Sequence, residues 1–505
     1  MNRSVRNDLR VPLMRKPIEG KNIVVIGAGV GGLSAGILLL LLGYHVTIVE
    51  KNREPGGLMR SYSRRGIDCP VGVHYVGALG PAEPLGKMFG VLGISVEDLF
   101  YRMGSEGVID RYLFDDFVFD LPVGLDAYEK NLREACPTDG AALNVVMKNL
   151  REIAVTMMDS SFFFNSGDPF QNMDHFRPMG ELLDELQASP RLRAVLAVPC
   201  QLIGVQLADC PVIFHHMVVA GYLFSSWRLK DGGSQMADVF AARFAELGGS
   251  LILNSDVRKI NIVAGKVTGI SLVEKGADLT ADAVVAAIHP KTLLGLMDEN
   301  ALRASLRERI LTLKETDGVM AVQASVDAAA HAEIDYNIYR LHSDEKGLIE
   351  DGIFYQIRRG NDQKTNLLSV ITRSLYGDWR SWENTLTGRR GAAYEEKKQA
   401  MARELLKKAS EIFGPLKNPS ILDVFTPLTL RDYGNCPEGS CYGVLRSSRQ
   451  LLKIASLNNL PIGGLCLAGQ NALAPGVLGC ILGSFNAVRQ LLGDQRFVRE
   501  FQRQL

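Results

Sequence analysis

The segment Lys21-Asn-Ile-Val-Val-Ile26-Gly27-Ala-Gly29-Val-Gly31-Gly32 joins a run of β-branched residues to a glycine-rich turn. Leu33-Ser-Ala-Gly-Ile-Leu-Leu-Leu-Leu-Leu42 follows with the composition of a buried helix, and His45-Val-Thr-Ile-Val-Glu50 predicts a second strand that ends in a carboxylate. Strand, G-x-G-x-x-G, helix, strand and acid together form the dinucleotide-binding fingerprint in its full context. The segment therefore predicts an α/β fold with a Rossmann-like domain.

The residues of this fingerprint have distinct roles. Gly27 permits the tight turn, Gly29 lets the backbone approach a pyrophosphate, and Gly32 lets the helix pack on the strand. Glu50 follows at the spacing expected of the acid that binds a ribose, and the helix N-terminus offers N–H groups and partial positive charge to the phosphates. The cofactor-binding residues predicted here are Gly27, Gly29, Gly31, Gly32, Glu50 and Lys51.

A second glycine pair favours FAD over NAD as the bound dinucleotide. Pro55-Gly56-Gly57 comes just after the acid, and a second close approach of backbone to ligand would explain both glycines. A surface turn is the alternative interpretation, since Pro-Gly is a common turn dipeptide. The chain contains no second G-x-G-x-x-G, which an enzyme with paired folds for FAD and NAD(P)H would normally show.

Length, charge and cysteine usage limit the class of protein. A chain of 505 residues exceeds what one hydrophobic core usually serves. Lys+Arg and Asp+Glu both number 56, so nothing indicates a nucleic-acid surface. The eight cysteines show neither a disulfide framework nor zinc spacing, and the basic start is not followed by the apolar region of a secretory signal. We therefore expect no metal and a cytoplasmic location.

The order of predicted elements indicates a discontinuous FAD-binding domain with an inserted α+β substrate domain. The FAD-binding domain, with its alternating strands and helices, is assigned to residues 20–78, 227–309 and 426–505. The substrate domain is assigned to residues 79–226 and 310–425, and an N-terminal extension to residues 1–19. Residues 211–227 are strongly apolar around His215 and His216. They predict a buried helix, the wall of a lipid tunnel, or a patch that touches a membrane, and the two histidines lack metal-binding partners at the required spacing.

Four sequence blocks give the chain a resemblance to a known family. They are the fingerprint with Glu50 and Pro55-Gly-Gly57; Gly66-Ile-Asp-Cys-Pro-Val-Gly72-Val-His74-Tyr75-Val-Gly77; Thr426-Pro-Leu-Thr429 through Tyr442-Gly443; and Leu467-Ala-Gly469-Gln470-Asn471 through Gly483. In this order they resemble the phytoene desaturase, carotenoid isomerase and retinol saturase superfamily of FAD proteins, whose fold is glutathione-reductase-like. The His-Tyr and Gly-Gln blocks are most similar to the saturase and isomerase branch.

The resemblance extends the predicted FAD site and shows three departures from the family pattern. It implies backbone contact from Val257 to adenine and contacts from the C-terminal block. Pro70 stands where the family usually has Asp, Leu58 where many relatives have Arg, and Asn471 where a carboxylate usually meets the ribityl chain. The further cofactor-binding residues predicted are Gly56, Gly57, Leu58, Arg60, Val257, Gly469, Gln470, Asn471, Gly476, Val477 and Leu478.

Catalysis in such a protein falls mainly to the flavin, which the chain orients against its substrate. Reduction of a double bond also needs a proton, and Tyr75 and His74 are the candidate acids because their block is expected to face the flavin. A structural, hydrogen-bonding role is the alternative interpretation of His74.

The predicted function is FAD-dependent saturation or cis–trans isomerisation of a C=C bond in a lipophilic polyene or isoprenoid, ahead of desaturation. A flavin amine oxidase and a non-catalytic prenyl carrier on the same scaffold are the alternatives. Since no second nucleotide fingerprint exists, an electron-donor protein or a quinone is the expected source of electrons, with transient NAD(P)H binding left open. Peripheral membrane contact is expected because such substrates partition into lipid.

Overall fold

The computed structural model describes residues 22–159, 173–274, 278–362 and 364–501. The predicted N-terminal extension lies outside these residues. Strands in the described part are β1 (Asn22–Ile26), β2 (His45–Val49), β3 (Ser61–Arg64), β4 (Ile67–Pro70), β5 (Val76–Gly77), β6 (Phe100–Arg102), β7 (Val108–Leu113), β8 (Val118–Pro122), β9 (Ser226–Leu229), β10 (Ser250–Ile252), β11 (Val257–Val263), β12 (Lys266–Leu272), β13 (Asp278–Thr280), β14 (Ala283–Ala286), β15 (Gly318–Asp327), β16 (Asn337–Ser343), β17 (Ile349–Arg359), β18 (Thr365–Ser374), β19 (Ser420–Phe425) and β20 (Leu465–Leu467).

The α-helices lie between and around these strands. Within the described residues they are α1 (Val30–Leu41), α2 (Pro84–Leu92), α3 (Val96–Leu99), α4 (Leu125–Ala135), α5 (Gly140–Met158), α6 (Met179–Glu185), α7 (Pro190–Gln201), α8 (Val212–Phe224), α9 (Gly233–Glu246), α10 (Pro290–Gly295), α11 (Ala304–Leu311), α12 (Ala392–Phe413), α13 (Pro427–Gly434), α14 (Leu451–Ala455), α15 (Gly476–Leu492) and α16 (Asp494–Phe501).

A parallel sheet in the order β10-β2-β1-β14-β20 forms the centre of the first domain. Parallel strands covered on both faces read as continuous apolar runs, and the buried strands β1 and β14 have that composition. On one face α1 packs against α9 and α15. The Rossmann-like fold predicted from the fingerprint is confirmed.

The antiparallel meander β11-β12-β13 leaves this sheet and returns to it through β14. Its apolar side packs with α10 and α11 over the second face of the parallel sheet. The first domain is therefore layered, with helices on one face and the meander on the other.

The second domain is built on a seven-stranded sheet, in the order β19-β15-β18-β17-β16-β7-β8. Its neighbours pair antiparallel except β16 and β7, which are parallel. The buried face of α12 packs with β15, β17 and β18 in one core. Helices α4 to α8 form a second core with β7, β8 and β16, and this core borders the cavity described below.

The domain division remains a prediction, but the structure places one segment differently. Helices α2 and α3 lie within residues 79–226, which the sequence assigned to the substrate domain. Leu85, Phe89 and Leu99 pack instead in the core formed by α1, α9 and α15. The reason is physical: α2 has an apolar face of its own, and α1 offers it a buried surface.

Candidate functional site

The turn from β1 into α1 is made of glycines because other residues do not fit. Gly27 has a φ of +96°, and a Cβ on Gly32 would lie 1.9 Å from the carbonyl oxygen of Gly27. The N-cap residue of α1, Gly29, offers no side-chain cap, and the first turn has no acidic residue. The N-terminal N–H groups of this helix are therefore available to an anionic ligand.

Glu50 follows the carboxyl end of β2 and is held there by three hydrogen bonds. Its Oε2 accepts the Ala28 N–H at 2.8 Å, and its Oε1 accepts the Asn52 N–H at 2.9 Å and the Asn52 Nδ2 amide at 2.7 Å. A carboxylate has further lone pairs, so these contacts fix its position and leave acceptor capacity for a ribose hydroxyl.

The second glycine pair lies against the first. The Gly56 N–H donates to the Ala28 carbonyl at 2.7 Å, and Gly56 has a φ of +115°. A Cβ on Gly57 would lie 3.1 Å from the Cα of Gly29. The pair thus forms part of a narrow wall made of backbone, rather than a turn in solvent.

The C-terminal block closes the same site from the other side. A Cβ on Gly31 would lie 2.5 Å from the Cα of Gly469. Asn471 Oδ1 accepts the Val444 N–H at 3.0 Å, which fixes the side-chain amide within the site. Helix α15 begins at Gly476, so its first turn lies beside this loop.

Arg446 holds the loop in place, and the sequence did not single it out. It is 1% exposed. Its guanidinium donates to the carbonyl oxygens of Leu473 at 2.7 Å, Gln470 at 2.8 Å and Val444 at 2.9 Å. Burial lowers the pKa of Arg446 to about 10, so the side chain stays charged at neutral pH.

These segments surround one continuous cavity of about 700 Å³. Two of the predicted cofactor residues do not line it: Gly32 packs on Gly27, and Arg60 Nε donates to the Gly57 carbonyl at 3.0 Å. The predicted residues that line it are Gly27, Gly29, Gly31, Glu50, Lys51, Gly56, Gly57, Leu58, Val257, Gly469, Gln470, Asn471, Gly476, Val477 and Leu478, together with His74 and Tyr75.

The outer half of the cavity fits FAD. It combines two walls of bare backbone, a fixed carboxylate and the uncapped N-terminus of α1, which suit a pyrophosphate and a ribose. A side chain at Gly29 or Gly57 would fill the narrow part of this cradle, where the two Cα positions approach each other. The donors and the shape present are therefore those that the cofactor requires.

The inner half of the cavity is lined mainly by apolar side chains, with the polar side chains of Gln201, Gln206, Glu350 and Asp351 among them. Helix α8 forms one wall through Phe214, Met217, Val218 and Tyr222, while His215 and His216 are buried away from it. Residues 211–227 are thus a cavity wall for most of their length, and the strand β9 begins at Ser226. The other apolar or aromatic side chains of this half are Met157, Leu202, Ile203, Val205, Ile349 and Phe354.

His74 is partly buried and packs against Phe354, with ring centroids 5.5 Å apart. Burial lowers the pKa of His74 to about 3, and the positive charges of Arg358 and Arg228 add to the effect. The imidazole is therefore neutral at neutral pH, and its Nδ1 has no hydrogen-bond partner among the described residues.

Tyr75 has a different environment. Its hydroxyl lies 2.9 Å from Asp110 Oδ2 and 2.9 Å from the Tyr339 hydroxyl. Burial, followed by the nearby Asp110, raises the pKa of Tyr75 well above its usual value. The side chain therefore retains its proton, which points to Asp110 in this structure, while the residue lines the cavity.

Asp110 and Tyr339 are functional candidates that the sequence analysis missed. Asp110 is fully buried behind the two tyrosines, and its Oδ1 accepts the Asn337 Nδ2 amide at 2.8 Å. An acidic residue within the strand segment Val108–Leu113 could by itself have indicated a functional role for Asp110. Its partners, however, come from β16, and the parallel pairing of Asp110 with Asn337 is not visible in the sequence.

The remaining histidine and cysteine candidates are structural in this geometry. His215 Nδ1 lies 3.0 Å from His216 Nδ1, and no group of three metal-ligating side chains occurs among the described residues. All eight cysteines are free. Burial raises the pKa of Cys436 and Cys441 to about 12, so both are thiols.

One family model matches nearly the whole chain. The model described as flavin containing amine oxidoreductase matches residues 30–492. This range includes the fingerprint helix, the His-Tyr block and the C-terminal loop.

Among curated proteins, the chain is similar to all-trans-retinol 13,14-reductase from Macaca fascicularis, at 23% identity over 92% of this chain and 84% of the relative. It is also similar to all-trans-zeta-carotene desaturase from Myxococcus xanthus, at 26% identity over 52% of each chain. Among solved structures, an oxidoreductase from Methanosarcina mazei has a TM-score of 0.63 at 16% identity, over 93% of this chain and all of the other.

Proposed function

We propose that this chain, which belongs to the flavin containing amine oxidoreductase family, saturates a C=C bond of a lipophilic polyene. It is an FAD-dependent oxidoreductase. The resemblance to the phytoene desaturase and retinol saturase superfamily is confirmed. The two halves of the cavity bind different molecules: the half walled by backbone binds FAD, and the half lined mainly by apolar side chains binds the substrate.

The observation that carries the proposal is the position of Tyr75. It lines the same cavity as the predicted cofactor residues, its ring centroid lies 4.7 Å from that of Tyr222 on α8, and its hydroxyl is held by Asp110 and Tyr339. Saturation of C=C needs a proton donor at the place where cofactor and substrate meet. A neutral tyrosine with a raised pKa is such a donor.

The residues of the chain have separate tasks in this reaction. FAD, when bound in its reduced state, supplies the hydride. Tyr75 donates the proton to the second carbon, and the apolar wall formed by Phe214, Met217 and Val218 holds the polyene and excludes water. His74 is neutral and shapes the wall beside Phe354, so the proton is assigned to Tyr75 rather than to His74.

The relatives support this choice among redox reactions. Retinol 13,14-reductases align over most of the chain, whereas the zeta-carotene desaturase aligns over about half of it. Isomerisation of the same substrates uses the same groups without net reduction. A prenyl carrier would not need the glycine-lined FAD cradle.

The electron source and the location belong to the proposal as well. We propose that a donor protein or a quinone reduces the bound flavin. Among the described residues, no helix has both the length and the apolar character to cross a membrane. A cytoplasmic protein with peripheral membrane contact, able to collect its substrate from lipid, fits the apolar compartment.

The test is product analysis with anaerobically reduced holoprotein. All-trans-retinol, a carotenoid and an aliphatic amine are offered separately, and product masses are taken. The expected product is a polyene heavier by two hydrogens. Tyr75→Phe lowers its yield about a hundredfold, whereas Tyr44→Phe, a matched change at a buried tyrosine outside the cavity, leaves it unchanged. Polyene recovered unchanged would overturn the proposal, as would peroxide formed from the amine or a polyene lighter by two hydrogens when the oxidised holoprotein is supplied with oxygen.

A further inference from the structure

Asp110 lies at a point where no solvent reaches it. It is 0% exposed on β7, directly opposite Asn337 on β16. Asn337 donates to its Oδ1 at 2.8 Å, and Tyr75 faces its Oδ2 at 2.9 Å. Burial of an ionised carboxylate without a paired cation costs free energy. The presence of Asp110 in this core therefore calls for a chemical reason.

The groups that face Asp110 come from every element around it. They are four tyrosines and one arginine: Tyr75, Tyr112, Tyr222, Tyr339 and Arg228. Arg228 reaches it through an intermediary, since its guanidinium donates to Asn337 Oδ1 at 3.1 Å. The arginine thus offers positive charge near the carboxyl without forming a direct ion pair with it.

Burial raises the pKa of Asp110 to about 7, against the opposing effects of Asn337, Tyr75 and Arg228. At neutral pH and below, the carboxyl therefore carries a proton in a substantial fraction of molecules. Because Asn337 donates to Oδ1, the acidic proton belongs on Oδ2, which faces the Tyr75 hydroxyl.

The protonation state of Asp110 then sets the direction of the Tyr75 proton. When Asp110 is ionised, its carboxylate accepts the Tyr75 O–H, which turns away from the cavity. When Asp110 is protonated, it donates to the Tyr75 oxygen, and the Tyr75 proton turns toward the Tyr339 hydroxyl or the cavity. A hydroxyl can donate once and accept twice, so both arrangements are complete hydrogen-bond sets.

We propose that Asp110 is the proton store for the reaction and that it acts through Tyr75, which alone of the two reaches the substrate. This inference rests on the proposed function. Tyr75 is the catalytic acid, and Asp110 is a positioning and proton-supplying residue behind it.

The transfer balances in protons and charge. The Tyr75 O–H bond breaks as its proton joins the substrate carbon, while the hydride from reduced FAD joins the neighbouring carbon. The O–H bond of Asp110 breaks at the same time and its proton passes to the Tyr75 oxygen, so Tyr75 ends neutral. The remaining carboxylate is stabilised by Asn337 and the charge of Arg228, and a proton from water entering the cavity restores it through Tyr75 after product leaves.

The kinetic test compares the wild-type holoenzyme with Asp110→Asn in single-turnover reduction of all-trans-retinol by prereduced protein. The wild-type rate is expected to fall as pH rises through about 7. Asp110→Asn keeps the size of the side chain but has no acidic proton to give, so the limiting single-turnover rate is expected to fall about a hundredfold, with the dissociation constant for retinol unchanged and without that pH dependence. Asp116→Asn, at an exposed aspartate, is the matched control.

A second measurement needs no turnover. Infrared difference spectroscopy of the holoprotein between pH 6 and pH 9 is expected to show the carbonyl stretch of a protonated carboxylic acid at the lower pH. The band is expected to be absent from Asp110→Asn and present in Asp116→Asn. It reports the proton on Asp110 directly.

The possible results distinguish failure of the proton-store proposal from failure of the proposed function. If Asp110→Asn retains the wild-type rate and pH profile, or if the wild-type protein lacks the acid band at pH 6, Asp110 is not the proton store. If the wild-type protein reduces no polyene, the proposed function fails, and the infrared band alone then decides whether Asp110 stores a proton. A Tyr75→Phe variant is expected to keep the band while losing the reaction.

Discussion

A Cβ atom on Gly31 would lie 2.5 Å from the Cα of Gly469, although most of the chain separates the two residues. The fingerprint helix α1 and the C-terminal loop therefore meet through bare backbone. This contact joins the two halves of the cofactor site, and it leaves no room for a side chain on Gly31.

The first prediction concerns this contact. Gly31→Ala is expected to destabilise the protein by about 1–3 kcal/mol, because the methyl group pushes α1 away from the loop. It should also weaken FAD binding, measured by flavin fluorescence during dialysis. Gly90→Ala in α2 is the control, since a Cβ there meets nothing within 4 Å and the change favours the helix. A Gly31→Ala protein that keeps its flavin and melting temperature would contradict this account of the site.

The second prediction concerns Glu50. In Glu50→Gln one oxygen is replaced by an amide that cannot accept the N–H groups of Ala28 or Asn52. The dissociation constant for FAD is expected to rise at least tenfold by titration of apoprotein, because hydrogen bonds to charged groups contribute about 1.5–3 kcal/mol. Glu54→Gln, at an exposed glutamate nearby, should bind FAD as the wild type does. Equal affinities in the two variants would count against the predicted ribose contact.

The third prediction concerns Arg446. Lysine cannot reach the three carbonyl oxygens that the guanidinium fork holds. Arg446→Lys is therefore expected to release FAD faster in stopped-flow displacement and to lower stability by about 1–3 kcal/mol. Arg449→Lys, at a residue that is 81% exposed at its side chain, is the comparison and should show neither effect. Unchanged flavin release in Arg446→Lys would mean that the loop does not depend on this arginine.

The fourth prediction concerns acid stability. Burial lowers the pKa of His215 to about 4 and those of His74 and His216 also fall below the ordinary value. The unfolded chain takes up these protons below about pH 6.5 while the folded protein does not, so the free energy of unfolding decreases as pH falls through that range. Asp110 has the opposite sign: its raised pKa gives stability at low pH that is lost as pH rises through about 7.

The three histidines act against Asp110 alone. We therefore expect the urea concentration at the midpoint of unfolding to be lower at pH 5 than at pH 7. Proton NMR of the ring signals checks the cause: three histidines should remain neutral at pH 5. The half-exposed His342, identified with His342→Asn, serves as the reference histidine in the same spectra. Titration of all ring signals near their ordinary value would refute the buried, neutral state.

The parts of the site that the sequence predicted depend on local geometry. A strand, a glycine turn and a helix are neighbours in the chain, so the roles of Gly27 and Gly32 follow from their spacing alone. The C-terminal glycines were found through family resemblance, and the structure brings Gly469 to Gly31. Helix α15 begins at Gly476, and Pro475 is its N-cap residue.

The parts that the sequence did not predict depend on pairing between distant strands. Asp110 can be recognised as a functional candidate only once β7 pairs with β16, because this pairing places Asn337 and Tyr339 near it. Arg446 likewise contacts carbonyl groups of a loop whose shape is set by α15 and β20. Neither relationship leaves a periodic pattern in the chain, so side-chain type alone could not identify these residues.

The most direct test of the central claim is anaerobic mixing of photoreduced holoprotein with all-trans-retinol, followed by flavin absorbance and product mass. The account predicts that oxidised flavin reappears in proportion to retinol consumed and that the product is heavier by two hydrogens. In deuterium oxide the product should carry deuterium at the carbon that receives the Tyr75 proton. Flavin that stays reduced while retinol is unchanged, or changes only in double-bond geometry, would contradict reduction as the function of this site.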